Sequence, residues 1–405
     1  MKTRIAVYSR TRSFWGGSFQ YAKAFVEALA GLDPNFFEVQ VWHEDDGDWK
    51  ELCSRLNFPG HILGTYKFPP QFLPVAKKIL EALKNIGEDD DAHRGSLLTS
   101  LLPFSEDAAI DVYRPHVVIS PQMGCPRYVK GARHIGVIHD LMHRYESRFP
   151  EVGTPTEIAM RESLFQGMVS RCETILVDSH TGLCHVRECY HQVREEQLKI
   201  LPFAAFDEVT QCVPRRPGCY LPEKFFFYPA QFWLHKNHVG LTRAVARLKI
   251  EIPDLVVVAA GNTKQNGFEP FMAILNSEGL GQHFILPGYL PVEELAWCYH
   301  HARALVMPTF FGPTNIPPLE AMALGCPLAV SNIYGMPDQC GNAALYFKPD
   351  DSADMAHVLH RLWTDDALCL DLKKKGLSRT HLYNISNFKK QVLRIVQGVC
   401  SALYS

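Results

Sequence analysis

Residues 304 to 330, ALVMPTFFGPTNIPPLEAMALGCPLAV, limit what this chain can fold into more than any other stretch. Ala304-Leu305-Val306-Met307 is an apolar run that stops at Pro308. A loop of Gly, Pro, Thr and Asn follows, to Pro318. Leu319 to Leu324 then has helical character, closed by Gly325 and Pro327, and Leu328-Ala329-Val330 is a second apolar strand. Pro317 and Pro318 suit the first turn of that helix, where an N–H has no partner. In the order strand, loop, helix, strand, such a loop sits at the carboxyl end of a parallel sheet. Open sheets of this kind bind ligands beyond the carboxyl ends of their strands. Amides and dipole at the helix mouth favour an anion there. Glu320, expected in the first turn, could hold the paired hydroxyls of a ribose. It could equally be a first-turn acid complementing the dipole, and on the loop alone the two readings stand level.

The same alternation runs through the rest of the chain. Expected strands are Arg4–Tyr8, Phe37–Trp42, His116–Ser120, Arg133–Ile138, Thr174–Val177 and Lys199–Phe203, with helices over Phe19–Leu32 and Glu157–Ser170 among them. Residues 204–223, with Pro214, Pro217 and Pro222, read as a linker. Alternation restarts with strands Phe225–Tyr228, Leu255–Ala260, Phe284–Leu286 and Ala343–Phe347, and with helices Gly240–Leu248 and Pro291–His300. The expected fold class is α/β, with domains at 1–203 and 224–386 and a last helix in 387–405. Residues 44–110 look irregular, apart from a helix over Pro70–Leu83 and a solvated acid run at Glu88–Asp91.

Composition removes several functional classes. Lys and Arg total 41 against 43 Asp and Glu, a formal charge of −2, so there is no basic footprint for nucleic acid. The 12 cysteines form no C-x-x-C pairs, which argues for reduced, packed thiols in a cytoplasmic protein rather than zinc ligands. The N-terminus has no leader-like apolar run, and no segment reaches the roughly 18 apolar residues of a membrane span. Peripheral contact with a membrane stays compatible with this composition.

Three further motifs fall on expected loops. Gly16-Gly17 lies between the first strand and first helix, where backbone can approach a ligand or simply turn tightly. His139-Asp140 ends a strand; His139 is a substrate-contacting candidate oriented by Asp140 or by backbone, and Asp140 is otherwise a cap. His143, one turn on, is a candidate for the acceptor side. Ser179 is a helix cap. Lys236, in PAQFWLHKNH, can neutralise a diphosphate as a point charge, although most loop lysines are simply exposed.

The wording of these stretches resembles the family 4 retaining glycosyltransferases, the group 1 transferases of the GT-B fold. The likeness rests on PPLEA around Glu320, on PTFFGPTN before it and on IHDLMHRYESRFPE around His139. It is strong over residues 225–380 and patchy before residue 115. It implies two Rossmann-like domains facing a central cleft, the first holding the acceptor, the second a nucleotide sugar, and a last helix crossing back. It assigns His139 to the donor sugar, Gly16 and Gly17 to the diphosphate and acceptor, and Tyr289 to the base. Residues Gly312, Pro313, Thr314, Asn315 and Ile316 border the donor. The family pattern is Glu, seven residues, Glu. Glu320 fills the second place, and Gly312 stands where the first acid belongs. The family's diphosphate Arg falls on Gln231, so His235 or a residue of the other domain is expected to take its share of the charge. No D-x-D motif follows a strand, so neither metal nor cofactor is expected.

The function that follows is retaining transfer of a hexosyl unit from a nucleoside diphosphate sugar to a saccharide or lipid-linked acceptor. GDP-mannose or a deoxyhexose donor and bacterial surface polysaccharide synthesis are favoured. The two missing charges keep open a catalytically weak binding subunit, and the shared architecture keeps open a sugar-nucleotide epimerase.

Overall fold

The computed structural model describes residues 2–13, 16–63, 108–124 and 127–403. The expected helix at Pro70–Leu83 and the acid run at Glu88–Asp91 lie outside them. The described strands form two parallel sheets. The first contains β1 (Thr3–Ser9), β2 (Phe37–His43), β3 (Gly60–Ile62), β4 (Val117–Met123), β5 (Arg133–Val137), β6 (Thr174–Val177) and β7 (Leu198–Ile200). The second contains β8 (Phe226–Pro229), β9 (Val257–Ala260), β10 (Phe284–Gly288), β11 (Ala304–Met307), β12 (Leu328–Ser331) and β13 (Ala344–Phe347). Their orders are β3-β2-β1-β4-β5-β6-β7 and β10-β9-β8-β11-β12-β13.

These strands are apolar throughout because helices cover both faces of each sheet. Ile5 pairs with Val39 on one side and Val117 on the other, and Phe227 lies between Val258 and Leu305. All six of those side chains are buried. The strand order reverses between β1 and β4, and again between β8 and β11. A crevice opens at each reversal beyond the carboxyl ends, and the two crevices face one another.

Two departures from the expected pattern lie between residues 44 and 63. Gly47–Leu56 is a helix capped by Asp46, whose carboxylate accepts from the Asp48 N–H. It buries Trp49, Leu52 and Cys53, a narrow stripe at helical spacing in an otherwise polar sequence. Gly60–Ile62 is an edge strand of three residues, too short to alternate visibly. The helix after β11 also begins earlier than read, at Ile316 rather than Leu319.

Chain crossings between the sheets lie side by side. The Ala205 N–H donates to the Tyr383 carbonyl at 2.9 Å, and Ala205 pairs with Asn384 in a parallel bridge. Residues 204–206 are buried rather than loose. The last helix, Ile385–Ser401, lays Phe388, Val392, Val396 and Val399 against the core that includes the helix Gly17–Leu29.

Candidate active site

The loop after β11 forms the second domain's side of the cleft. Gly312 has φ 100°, and a Cβ there would meet the Thr314 carbonyl oxygen at 2.7 Å and Asn315 Nδ2 at 2.9 Å. An acid therefore cannot be added at this position without moving the loop. The Asn315 N–H donates to Gln339 Oε1 at 2.9 Å, and Gln339 Nε2 donates back to the Asn315 carbonyl. Pro313, Pro317 and Pro318 have no N–H. The amides at the helix mouth are thus reduced, and Gly312, Thr314 and Ile316 have the amides left to meet an anion.

Glu320 falls in the second helical turn, not the first, because the helix starts at Ile316. Its Oε2 accepts from the Tyr299 hydroxyl at 2.8 Å. Only 8% of the residue is exposed, and burial pushes its pKa up to about 7, against the Tyr299 hydrogen bond that lowers it. A group of ligand hydroxyls donating to this carboxylate would favour its charged form.

Lys236 sits in the loop after β8, which is tied down at its end. Asn237 adopts φ 59°, caps the following helix through its Oδ1, and donates Nδ2 to the carbonyls of Pro308 at 3.0 Å and Pro349 at 2.7 Å. The Phe310 N–H donates to the His235 carbonyl at 2.8 Å, which ties this loop to the β11 loop. Among the described residues, no carboxylate lies within ion-pair distance of the Lys236 ammonium. Desolvation lowers its pKa to about 8, with Asp140 and Glu151 pulling the other way. His235 does not share the charge expected of it. Its ring stacks on Phe311 at 4.0 Å, and burial pushes its pKa down to about 4 despite Glu151 at 3.6 Å, so it is neutral at pH 7. Gln231 is exposed on the same side and accepts from Gln265.

The first domain supplies the opposite side. Gly16 has φ 60° and precedes the helix Gly17–Leu29. A Cβ on Gly17 would lie 2.6 Å from Ile316 Cδ1, so glycine lets the two domains touch here. His139 follows β5. Its Nδ1 faces both oxygens of Asp178, at 3.0 and 3.2 Å, and not the adjacent Asp140. Asp140 instead caps locally, accepting from the Met142 N–H at 3.0 Å. Phe203 stacks on the His139 ring and Tyr21 meets it edge-on. Asp178 raises the His139 pKa above 6.5 against the opposing effect of burial. Burial in turn pushes the Asp178 carboxyl up.

These groups surround a cavity of ≈ 640 Å³. Its lining includes His139, Lys236 and Glu320, the Gly16-Gly17 pair, Asp140, His235, and the run Gly312 to Ile316. Tyr289 is not among them. It is 81% exposed at the end of β10, the outermost strand of its sheet, away from the switch point. His143 is also elsewhere: its side chain is fully buried and bonded through Nε2 to Glu162 at 2.7 Å. Ser179 caps the helix His180–Cys189, accepting from the Gly182 N–H. Sequence reasoning did not find Tyr299 or the pairing of Asp178 with His139. An acid at the carboxyl end of β6 was the available signal, overshadowed by the cap that follows it. No group of three metal-ligating side chains occurs among the described residues, and none of their helices is long and apolar enough to cross a membrane.

Residues 214–379 match the model of the family "Glycosyl transferases group 1". The serotype-specific mannosyltransferase WbdA of Escherichia coli is 28% identical over 188 residues, 46% of this chain and 23% of that protein. The chain thus spans about a quarter of that relative's length. Sucrose-phosphate synthase from Thermosynechococcus elongatus superposes with a TM-score of 0.69 at 18% identity, covering 99% of this chain and 100% of that one. Anabaena HepE, solved with UDP and glucose, gives 0.67 at 11% identity over 98% and 100%. These likenesses, at 18% and 11% identity, show the fold of the two facing parallel sheets. Residues 214–379, which match the glycosyl transferases group 1 model, are carried as the second half of a GT-B fold.

Proposed function

We propose that this protein is a retaining glycosyltransferase. It moves a hexosyl unit from a nucleoside diphosphate sugar to a saccharide or lipid-linked acceptor. One observation carries the reading: Lys236, whose ammonium has no acid within ion-pair distance among the described residues, and the buried carboxylate of Glu320 line one side of a cleft, with His139 on the other. A half-buried ammonium without an ion-pair partner is expensive unless an anion joins it. A leaving diphosphate is such an anion, and charge stabilisation on it is what glycosyl transfer needs. Glu320 takes the nucleoside hydroxyls, and the amides of Gly312, Thr314 and Ile316 lie between. His139 lies across the cleft, where the sugar would sit. Mannose is the preferred sugar, supported by the likeness to WbdA. The chain's own groups would act without a metal or cofactor, and transfer would take place in the cytoplasm with peripheral contact to the membrane carrying the acceptor.

The replaced charges at Gly312 and Gln231 favour one competing reading, a sugar-nucleotide-binding subunit without turnover. Incubation with labelled GDP-mannose and other nucleotide sugars, with and without oligosaccharide acceptors, separates the two. Nucleoside diphosphate released only with acceptor, and an α-linked product from an α-donor, support retaining transfer. Binding without release supports the subunit. Conversion of the sugar without acceptor supports an epimerase.

A further inference from the structure

We infer that Asp178 is the positioning residue for His139, setting which ring nitrogen meets the donor and standing as the counter-charge to the ring when it is protonated. This rests on the transfer reading above. The geometry is specific. Asp178 is 2% exposed, and both of its oxygens lie within 3.2 Å of His139 Nδ1. Nδ1 is therefore the protonated nitrogen in either charge state of the ring. Nε2 is left without a partner among the described residues, in a residue that lines the cleft. It is the ring nitrogen that Asp178 leaves for a ligand oxygen, buried at the cleft wall. Phe203 on the face and Tyr21 on the edge prevent the ring from turning away.

Protonation decides what Nε2 offers. With the ring neutral, Nε2 only accepts. With the ring charged, it donates to a sugar or phosphate oxygen, and its charge opposes that of the departing diphosphate. Asp178 and Asp140 both favour the charged ring, and the Tyr21 phenol beside it stays neutral because burial pushes its pKa well up. Burial alone would favour the neutral ring. The carboxylate that decides between them comes from β6, not from the residue next to His139 in sequence.

Two measurements test this. In protein labelled at histidine, the His139 resonance is identified by its loss in His139→Gln, and its pKa is read by NMR. The wild-type value is expected above 6.5 and the Asp178→Asn value below it. An unchanged titration overturns the proposal. Donor turnover at pH 7.5 is then compared in both backgrounds. Asp178→Asn is expected to lower kcat/KM roughly tenfold to a hundredfold with His139 present, and to cost little in His139→Gln. An equal loss in both backgrounds means that Asp178 only supports the fold, and overturns the proposal. Should Asp178→Asn not fold, Asp178→Glu keeps the charge and is expected to hold the pKa above 6.5 with an intermediate rate; a fall below 6.5 contradicts the proposal. Absence of turnover with every donor would remove the transfer reading, while the titration would still decide whether Asp178 governs the ring.

Discussion

The two sides of the cleft are built in opposite ways. The second domain's side is nearly continuous in sequence: β11, its loop and the helix at Ile316 contribute Gly312 through Glu320, and the β8 loop adds Lys236. The first domain's side is assembled from the ends of different strands, Gly16 after β1, His139 after β5 and Asp178 after β6. The second side can grip a ligand through fixed backbone and one buried carboxylate. The first can act only if its separate pieces are brought into register. The expected division is that the second domain holds the nucleotide and its leaving diphosphate, while the first acts at the sugar and does not set nucleotide affinity.

The largest effect expected from breaking this division is at Lys236. Lys236→Ala should lower kcat/KM for the donor by about a hundredfold to a thousandfold, the usual cost of removing a group that meets developing charge. Steady-state kinetics at saturating acceptor reads this, and a change under threefold would place the diphosphate elsewhere. Glu320→Ala comes next. It should weaken nucleoside diphosphate binding by roughly tenfold to a hundredfold, the value of a hydrogen bond to a charged group, while His139→Gln leaves that affinity nearly unchanged. Calorimetric titration of both variants sharpens the contrast between the two sides directly.

Glu320 also gives a stability prediction with a definite sign. Its folded pKa of about 7 lies above the ordinary 4.5, so the folded protein holds this proton more tightly than the unfolded chain does. The carboxyl is neutral and harmless below pH 4.5, and destabilises progressively as pH rises to about 7. Glu320→Gln should therefore gain stability on wild type between pH 5 and pH 8, by at most about 3 kcal/mol. Urea denaturation at the two pH values measures the gap, and a gap that does not widen contradicts the burial argument. A smaller effect is expected at Gly312, where Ala adds a side chain at positive φ and costs about 1–2 kcal/mol. Gly312→Glu, despite restoring the family's acid, should bind donor no better than wild type. The smallest effect is at Tyr289: exposed and off the cleft, its change to Ala should leave donor affinity within twofold.

This contrast also explains what could be read from the sequence. The parallel sheets were legible because strands buried on both faces are continuous apolar runs, as in Phe226-Phe227-Tyr228 and Ala304 to Met307. PPLEA was legible because its helix and loop are adjacent in the chain. The Asp178–His139 pair was not, because 39 residues separate the partners and the pairing depends on β5 and β6 being neighbours. The sequence pointed instead to Asp140, one residue away. Lys236 could be proposed as a cation but His235 could not be excluded, since the stacking on Phe311 that holds it neutral is tertiary. Tyr289 lies off the cavity lining for a related reason: its strand was legible, but that strand's place at the sheet edge is a property of strand order.

The central claim is that the cleft holds a nucleoside diphosphate between Lys236 and Glu320. It is tested most directly by calorimetric binding of GDP and of guanosine to wild type, Lys236→Ala and Glu320→Ala. The account predicts that Lys236→Ala weakens GDP but not guanosine, and that Glu320→Ala weakens both. Equal affinity of wild type and Lys236→Ala for GDP, or GDP binding indifferent to Glu320, would contradict it.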